Sequence, residues 1–378
     1  MKNIKTMIYL VLMCAGLFLL SACTEVYEIQ ELPPVGSGQF TITVDCEETE
    51  FLREQAEQGD VTAQALLFGL YLGEDNIEQA VYWLTRASEL GNDEAQFILG
   101  MMYLDGLGLT QDSERAVYWL RKAADQGLEI AQTALLANQG DAGAQNSLGL
   151  IYLDGQGVKR NFEQASYWFR KSAEQGYVLA QYYLGILYYN GQVQDGGRNF
   201  EQSEYWLRKA AEQGHAMAQY NLGFQYLRGQ GLPQNYEQAE YWFRKAVVQD
   251  NAPAQMNLGL MYFHGSSVNQ SYEQAEYWFR KAVEHNHSQA QYLLGLMYDF
   301  GLGVTQSYEQ AVYWYRKSAE QNNYNAQNDL GWMYHNGLGV EQSYEQAAYW
   351  YRRVIAQGSP QAAANAQVNL SNIPVQYR

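Results

Sequence analysis

The chain has 378 residues, with 41 acidic side chains against 24 basic ones and a net charge of −17. That balance argues against nucleic acid and against adhesion to anionic lipid head groups. Hydrophobic residues make up 47% and aromatics 14%, which excludes a disordered chain.

Residues 1–22 read as a signal peptide. Lys2 and Lys5 form a positive start, Met7 to Leu20 is an apolar stretch short for a membrane span, and Ser21-Ala22 supplies small residues. The run Leu20-Ser21-Ala22-Cys23 resembles the lipobox of bacterial lipoproteins, which implies Cys23 as the site of lipid attachment. Several acyl chains, at about 0.8 kcal/mol per buried CH₂, hold a protein on a membrane essentially permanently. The alternative is an ordinary cleaved signal with an incidental cysteine. In that family a residue other than Asp after the cysteine implies the outer membrane, and here it is Thr24. Without residues 1–22 the chain carries 22 basic and 41 acidic side chains, a net charge of −19.

Residues 23–50 read as a lipidated start and flexible tether, marked by Pro33-Pro34 and Gly36-Ser37-Gly38, with a short strand expected at "QFTITV". Fully extended, about 25 residues reach at most roughly 80–90 Å. Cys46 is the one remaining thiol, so no internal disulfide framework is expected.

Residues 51–370 are built from one repeated unit. The dipeptide Tyr-Trp recurs at 82, 118, 167, 205, 241, 277, 313 and 349, mostly 36 residues apart. The one interval of 49 is a period plus 13, and the surplus lies at Ala131 to Gln145, where a truncated unit is spliced in. "FLREQAEQG" (51–59) opens the array as a lone second helix, and "SPQAAANAQVNL" (359–370) closes it as a lone first helix. Residues 371–378 read as a tail.

Each unit reads as two helices. The second follows Asn76, Asp112, Asn161, Asn199, Asn235, Ser271, Ser307 or Ser343, all good N-caps. Ser-Tyr-Glu-Gln further predicts a capping box, with the glutamine reaching back to the cap N–H. Glu240–Arg244 and Glu276–Arg280 are favourable (i, i+4) pairs, and basic residues late in the helix suit its dipole. After the second helix one position reads Gly, Asp250, Asn286 or Asn322, the residues that tolerate left-handed backbone. Ala239, Trp242, Phe243 and Ala246 form one apolar stripe; Ala218, Leu222 and Tyr226 form another on the first helix. One hairpin cannot bury both, but a stack can. The spacing predicts an all-α fold, a right-handed α-solenoid superhelix of helix-turn-helix repeats.

The pattern Ala-x₃-Leu-Gly-x₂-Tyr-x₂-Gly followed by Tyr-Glu-Gln-Ala-x₂-Trp-x₃-Ala resembles the Sel-1-like repeat, a relative of the tetratricopeptide repeat with a longer loop. The first unit departs from it in lacking the Gly-x-Gly loop. Exported relatives with a disulfide in every repeat share no cysteines with this chain, so nothing particular to them carries over.

Chemistry is sparse. There is no Gly-x-Ser-x-Gly, phosphate loop or Cys-x-x-Cys, and His285 and His287 beside Glu284 are too few for a metal site. No cofactor or metal and no catalytic residue is expected. The resemblance implies a groove lined by one first-helix column: Phe97, Tyr182, Tyr220, Met256 and Tyr292, with Asn146 and Asn328 at the other copies. The next column, from Met101 to Trp332, is expected to pack. Tyr82, Tyr118, Tyr167, Tyr205, Tyr241, Tyr277, Tyr313 and Tyr349 lie off the apolar stripe. Either they pack against the adjacent repeat, the favoured reading, or they form an exposed outer ladder.

The expected function is a non-enzymatic, lipid-anchored scaffold of the bacterial envelope that binds a protein or peptide. A surface-displayed factor engaging a host or neighbouring cell is the second reading. An envelope hydrolase, acting on peptidoglycan or a β-lactam, is the third; near-identical copies offer little of the non-repeating cluster that catalysis needs.

Overall fold

The computed structural model describes residues 46–155, 158, 160–193 and 197–377, with side chains from Thr49 onward. The expected signal peptide and lipobox and most of the expected tether, including the strand expected at 39–44, lie outside the described residues. The described chain is helical, with no strand among the described residues, and it divides into two compact units, one ending at Arg198 and one beginning at Asn199.

The first unit holds α1 (Cys46–Glu57), α2 (Val61–Gly73), α3 (Ile77–Glu89), α4 (Asp93–Asp105), α5 (Ser113–Asp125), α6 (Glu129–Asn138), α7 (Ala142–Asp154), α8 (Phe162–Glu174) and α9 (Val178–Asn190). The second holds α10 (Phe200–Glu212), α11 (Ala216–Arg228), α12 (Tyr236–Val247), α13 (Ala252–His264), α14 (Tyr272–Glu284), α15 (Ser288–Phe300), α16 (Tyr308–Glu320), α17 (Tyr324–Asn336), α18 (Tyr344–Gln357) and α19 (Pro360–Ser371). Each unit is an α-solenoid in which a helix packs chiefly on its neighbours in sequence. None of these helices is long and apolar enough to cross a membrane.

The caps explain the helix starts. Asn76, Asp112, Asn161, Asn199, Asn235, Ser271, Ser307 and Ser343 each accept a backbone N–H of the first turn. The reciprocal half of the capping box does not form as expected. The cap N–H of Ser271 already donates to the Tyr262 carbonyl at 3.0 Å, and Ser307 and Ser343 do the same to Tyr298 and Tyr334. With that donor used, the glutamine has nothing to reach for, and the Ser271 and Ser307 hydroxyls donate instead to Glu273 and Glu309. At the helix stops, Asp250, Asn286 and Asn322 have φ of +54°, +57° and +64°, the left-handed backbone that their residue types predict.

Two bonding patterns tie repeats together and were not read from the sequence. In several copies the glutamine of the Ala-Gln pair bolts a first helix to the preceding second helix: Gln96 donates to the Ser88 carbonyl, Gln181 to Ala173, Gln219 to Ala211 and Gln327 to Ala319, at 2.9–3.1 Å. A second glutamine, one repeat on, donates to the first one's carbonyl oxygen; Gln126–Gln96, Gln175–Gln145, Gln249–Gln219 and Gln321–Gln291 span 2.8–3.1 Å. The arginine expected to answer the helix dipole does more specific work. Arg170, Arg208, Arg244, Arg280 and Arg316 each donate to a tyrosine hydroxyl 18 residues later, at 2.5–2.7 Å.

The 13-residue surplus is one helix, α6. Its start behaves as a first helix, with Gln132 donating to Ala124; its end behaves as a second helix, with Ala137 accepting from Gln145. The ends also differ from expectation. Helix α1 begins at Cys46, inside the stretch read as tether. The tail is docked: Val375–Tyr377 forms a 3₁₀ turn, the Tyr377 carbonyl accepts from Arg352 at 3.0 Å, and the Tyr377 ring lies 5.8 Å from Tyr344.

Candidate functional site: the two faces of the repeats

The first-helix column is less open than expected. Phe97 is 3% exposed and belongs to the core, so it cannot line a groove. Helix α4 is enclosed by α3 and α5 and is also reached by α7, whose Tyr152 hydroxyl donates to Asp105, so Phe97 and Met101 both serve packing. Asn146 is buried as well. Tyr182 is half-buried beside Tyr183, their ring centroids 5.3 Å apart. Tyr220 is half-buried within 6.0 Å of the Phe243 ring, and Met256 rests on the core around Phe279. Tyr292 is half-buried with its hydroxyl on Asp329. These side chains are half-buried rather than open.

The first-helix residues that are open are others. Leu179 and Met217 are 39% exposed at the second position of their helices, and Trp332 is 44% exposed on α17. The second position varies from copy to copy, from Glu94 and Gly143 to Gln289 and Asn325, and that variation was the available signal. The apolar counterparts of Trp332, such as Met101, point to packing for the whole column; Met101 is buried, and Trp332 is not.

The eight tyrosines of the Tyr-Trp dipeptides are all 46–52% exposed, so the favoured reading, closure between repeats, does not hold. They form the outer alternative. Each ring meets its own tryptophan edge-on at 4.9–5.0 Å. Four residues on, Lys122, Lys171, Lys209 and Lys245 lie over the Tyr118, Tyr167, Tyr205 and Tyr241 rings at 4.8–5.4 Å. The outer tyrosine thus roofs a tryptophan and keeps an edge in water, and in these four copies it is itself covered by an ammonium group.

His287 has a structural role: its Nδ1 accepts the Ala290 N–H as the N-cap of α15, and burial pushes its pKa down. His215 caps α11 in the same way. Among the described residues, no three His, Cys, Asp or Glu side chains gather closely enough to hold a metal.

The Sel1 repeat family model matches residues 62–92, 93–128, 142–177, 178–215, 216–250, 252–287, 288–323 and 325–359. The chain belongs to the Sel1 repeat family. The fold is similar to that of a Sel1 repeat protein from Oxalobacter formigenes, at 29% identity and a TM-score of 0.56, over 89% of this chain and 98% of that one. It is also similar to c5321, a protective antigen of uropathogenic Escherichia coli strains displaying an SLR fold, at 28% identity and a TM-score of 0.42, over 89% and 92%. No curated protein matches the chain. Sel1 repeat proteins are typically non-catalytic scaffolds for protein–protein interaction, and the gaps between matches fit the structure. Residues 129–141, skipped between two matches, contain the fused helix α6.

Proposed function

We propose that this chain is a non-catalytic scaffold that holds a protein or peptide partner on its first-helix face, anchored through Cys23 in the bacterial envelope, at the outer membrane. The observation that carries the recognition face is the contrast between the two faces. The outer face is the same in every copy, a tyrosine roofing a tryptophan, while the first-helix face changes from copy to copy and carries the unroofed Leu179 in the first unit and Met217 and Trp332 in the second. A uniform column serves the shared scaffold; a variable exposed one can read a particular sequence. Exposed aromatic anchors are also the residue type that dominates interface energetics. The net charge of −19 after removal of residues 1–22 supports a protein partner over nucleic acid.

The test places a photo-crosslinking amino acid at Trp332 or at Tyr241 in the full chain in cells. Defined adducts from position 332, and none from 241, support the proposal. Adducts confined to 241 move recognition to the outer tyrosines, and adducts from neither position refute it.

A further inference from the structure

The second unit carries two carboxylates that its repeat pattern does not supply elsewhere. Asp299 stands at the twelfth position of α15, where the other copies have Leu, Tyr, Phe or His. Asp329 stands at the sixth position of α17, where the others have Ile, Leu, Ser, Tyr or Asn. Adjacent first helices bring the two acids into one cluster of phenols. The Tyr315 hydroxyl donates to Asp299 Oδ2 at 3.0 Å and the Tyr292 hydroxyl to Asp329 Oδ2 at 3.1 Å, with the two rings 5.8 Å apart. Asn328 donates to Asp329 Oδ1 at 3.2 Å and is held in turn by Asn369 of α19. Burial pushes the pKa of both carboxyls up, and each is raised or held against solvent without a cation: no salt bridge reaches Asp299 or Asp329 among the described residues.

A third phenol points to a missing partner. Tyr351 is fully buried, its ring lies on Gly331, and its hydroxyl has no hydrogen-bond partner, although the Asp329 charge acts on it. Buried polar groups are nearly always bonded, so the orphan Tyr351 hydroxyl, close enough to Asp329 to feel its charge, leaves an acceptor open beside a carboxyl that no cation compensates. Both aspartates are only partly buried, which leaves a way in from solvent. The exposed Trp332 lies three residues beyond Asp329 on α17, on the same side of the helix.

We propose that Asp299, Asp329 and the Tyr351 hydroxyl form a subsite for one basic side chain, an arginine or lysine, of the partner peptide. The cationic head donates to both carboxylates and to the Tyr351 oxygen, and its stem lies on the Trp332 ring, where a cation is also attracted to the aromatic face. Two carboxylates with phenol oxygens suit several N–H donors better than a metal ion, which would draw on more anionic or imidazole ligands. The subsite rests on the proposed role of the first-helix face and adds the chemistry that face selects.

The test measures binding of a fluorescent acetylated decapeptide with one central arginine in a Gly/Ser/Leu context to the purified full chain in detergent. The comparison is the same peptide with citrulline, which keeps the shape and loses the charge. At least tenfold tighter binding of the arginine peptide is expected. Asp299→Asn and Asp329→Asn should each erase most of that preference, Tyr351→Phe and Trp332→Ala should lower it several-fold, and circular dichroism should stay unchanged. Equal binding of the two peptides, binding of neither, or a preference that survives the double aspartate variant overturns the subsite. Position-332 crosslinks that persist in that double variant would leave recognition on the first-helix face standing while the subsite fails; their absence in the unmodified chain would remove that recognition face itself.

Discussion

Gly295→Ala tests the close packing on which the stack depends. A methyl group at Gly295 would lie 2.5 Å from Cδ1 and 2.7 Å from Cε1 of Tyr315, well inside carbon–carbon contact distance. Tyr315 is fully buried, and its hydroxyl is tied to Asp299 at 3.0 Å, so the ring cannot swing away freely. Overpacking of this kind costs about 1–3 kcal/mol. Moving the ring by about 1 Å would also break the bond to the carboxylate, worth roughly 1.5–3 kcal/mol. Against this, alanine is favoured over glycine inside a helix by about 1 kcal/mol. The net is a loss of about 1.5–5 kcal/mol. Gly143→Ala is the control, because its methyl would meet only Asp141 Oδ1 at 3.4 Å and Tyr177 at 3.9 Å. It should be neutral or stabilise by up to about 1 kcal/mol. Urea unfolding followed by circular dichroism gives both values. If Gly295→Ala matches or exceeds the stability of Gly143→Ala, the close approach of first and second helices is wrong.

Burial pushes Asp105 up to about 6, against 3.8 for a free carboxyl, so the fold favours its protonated form. Its contribution is therefore most favourable below pH 3.8 and is lost as pH rises to about 6. Asp105→Asn should match the unmodified chain near pH 4 and exceed it near pH 7 by on the order of 2–3 kcal/mol in urea unfolding; a constant difference across that range would contradict the buried-acid account. Asp250→Gly should stabilise by up to about 1–2 kcal/mol, since Asp250 holds a left-handed φ of +54°; thermal unfolding measures it, and a loss of stability would show that the side chain does unrecognised work. Cys23→Ser should move the protein from the membrane pellet to the soluble fraction and abolish labelling by radioactive palmitate; retained labelling would place the lipid elsewhere.

The scaffold was legible because it is periodic. Caps at Asn235 and Ser271, left-handed stops at Asp250 and Asn286, and the stripe through Trp242 and Phe243 each recur in register, so chance resemblance is removed by repetition. The glutamine bolts escaped notice although they recur too, since a polar side chain within an apolar stripe has no period of its own to suggest its partner. Gln219 is bonded to Ala211 in the preceding helix and to Gln249 in the next repeat, contacts 8 and 30 residues away. The exposure of Tyr241 could not be read because it depends on whether a further layer covers the second helices, which helical periodicity leaves open. Asp299 and Asp329 were hidden for the opposite reason. Each is a single departure from a column, and only the approach of α16 and of α17 to α15 brings them to their phenol partners, Tyr315 and Tyr292.

The central claim is that recognition belongs to the first-helix face. Hydrogen–deuterium exchange of the purified chain, with and without the partner captured at Trp332, tests it most directly. The account predicts slowed exchange in first helices such as α15 and α17, with α14, α16 and α18 unchanged. Slowing confined to those second helices, around Tyr277, Tyr313 and Tyr349, would contradict it.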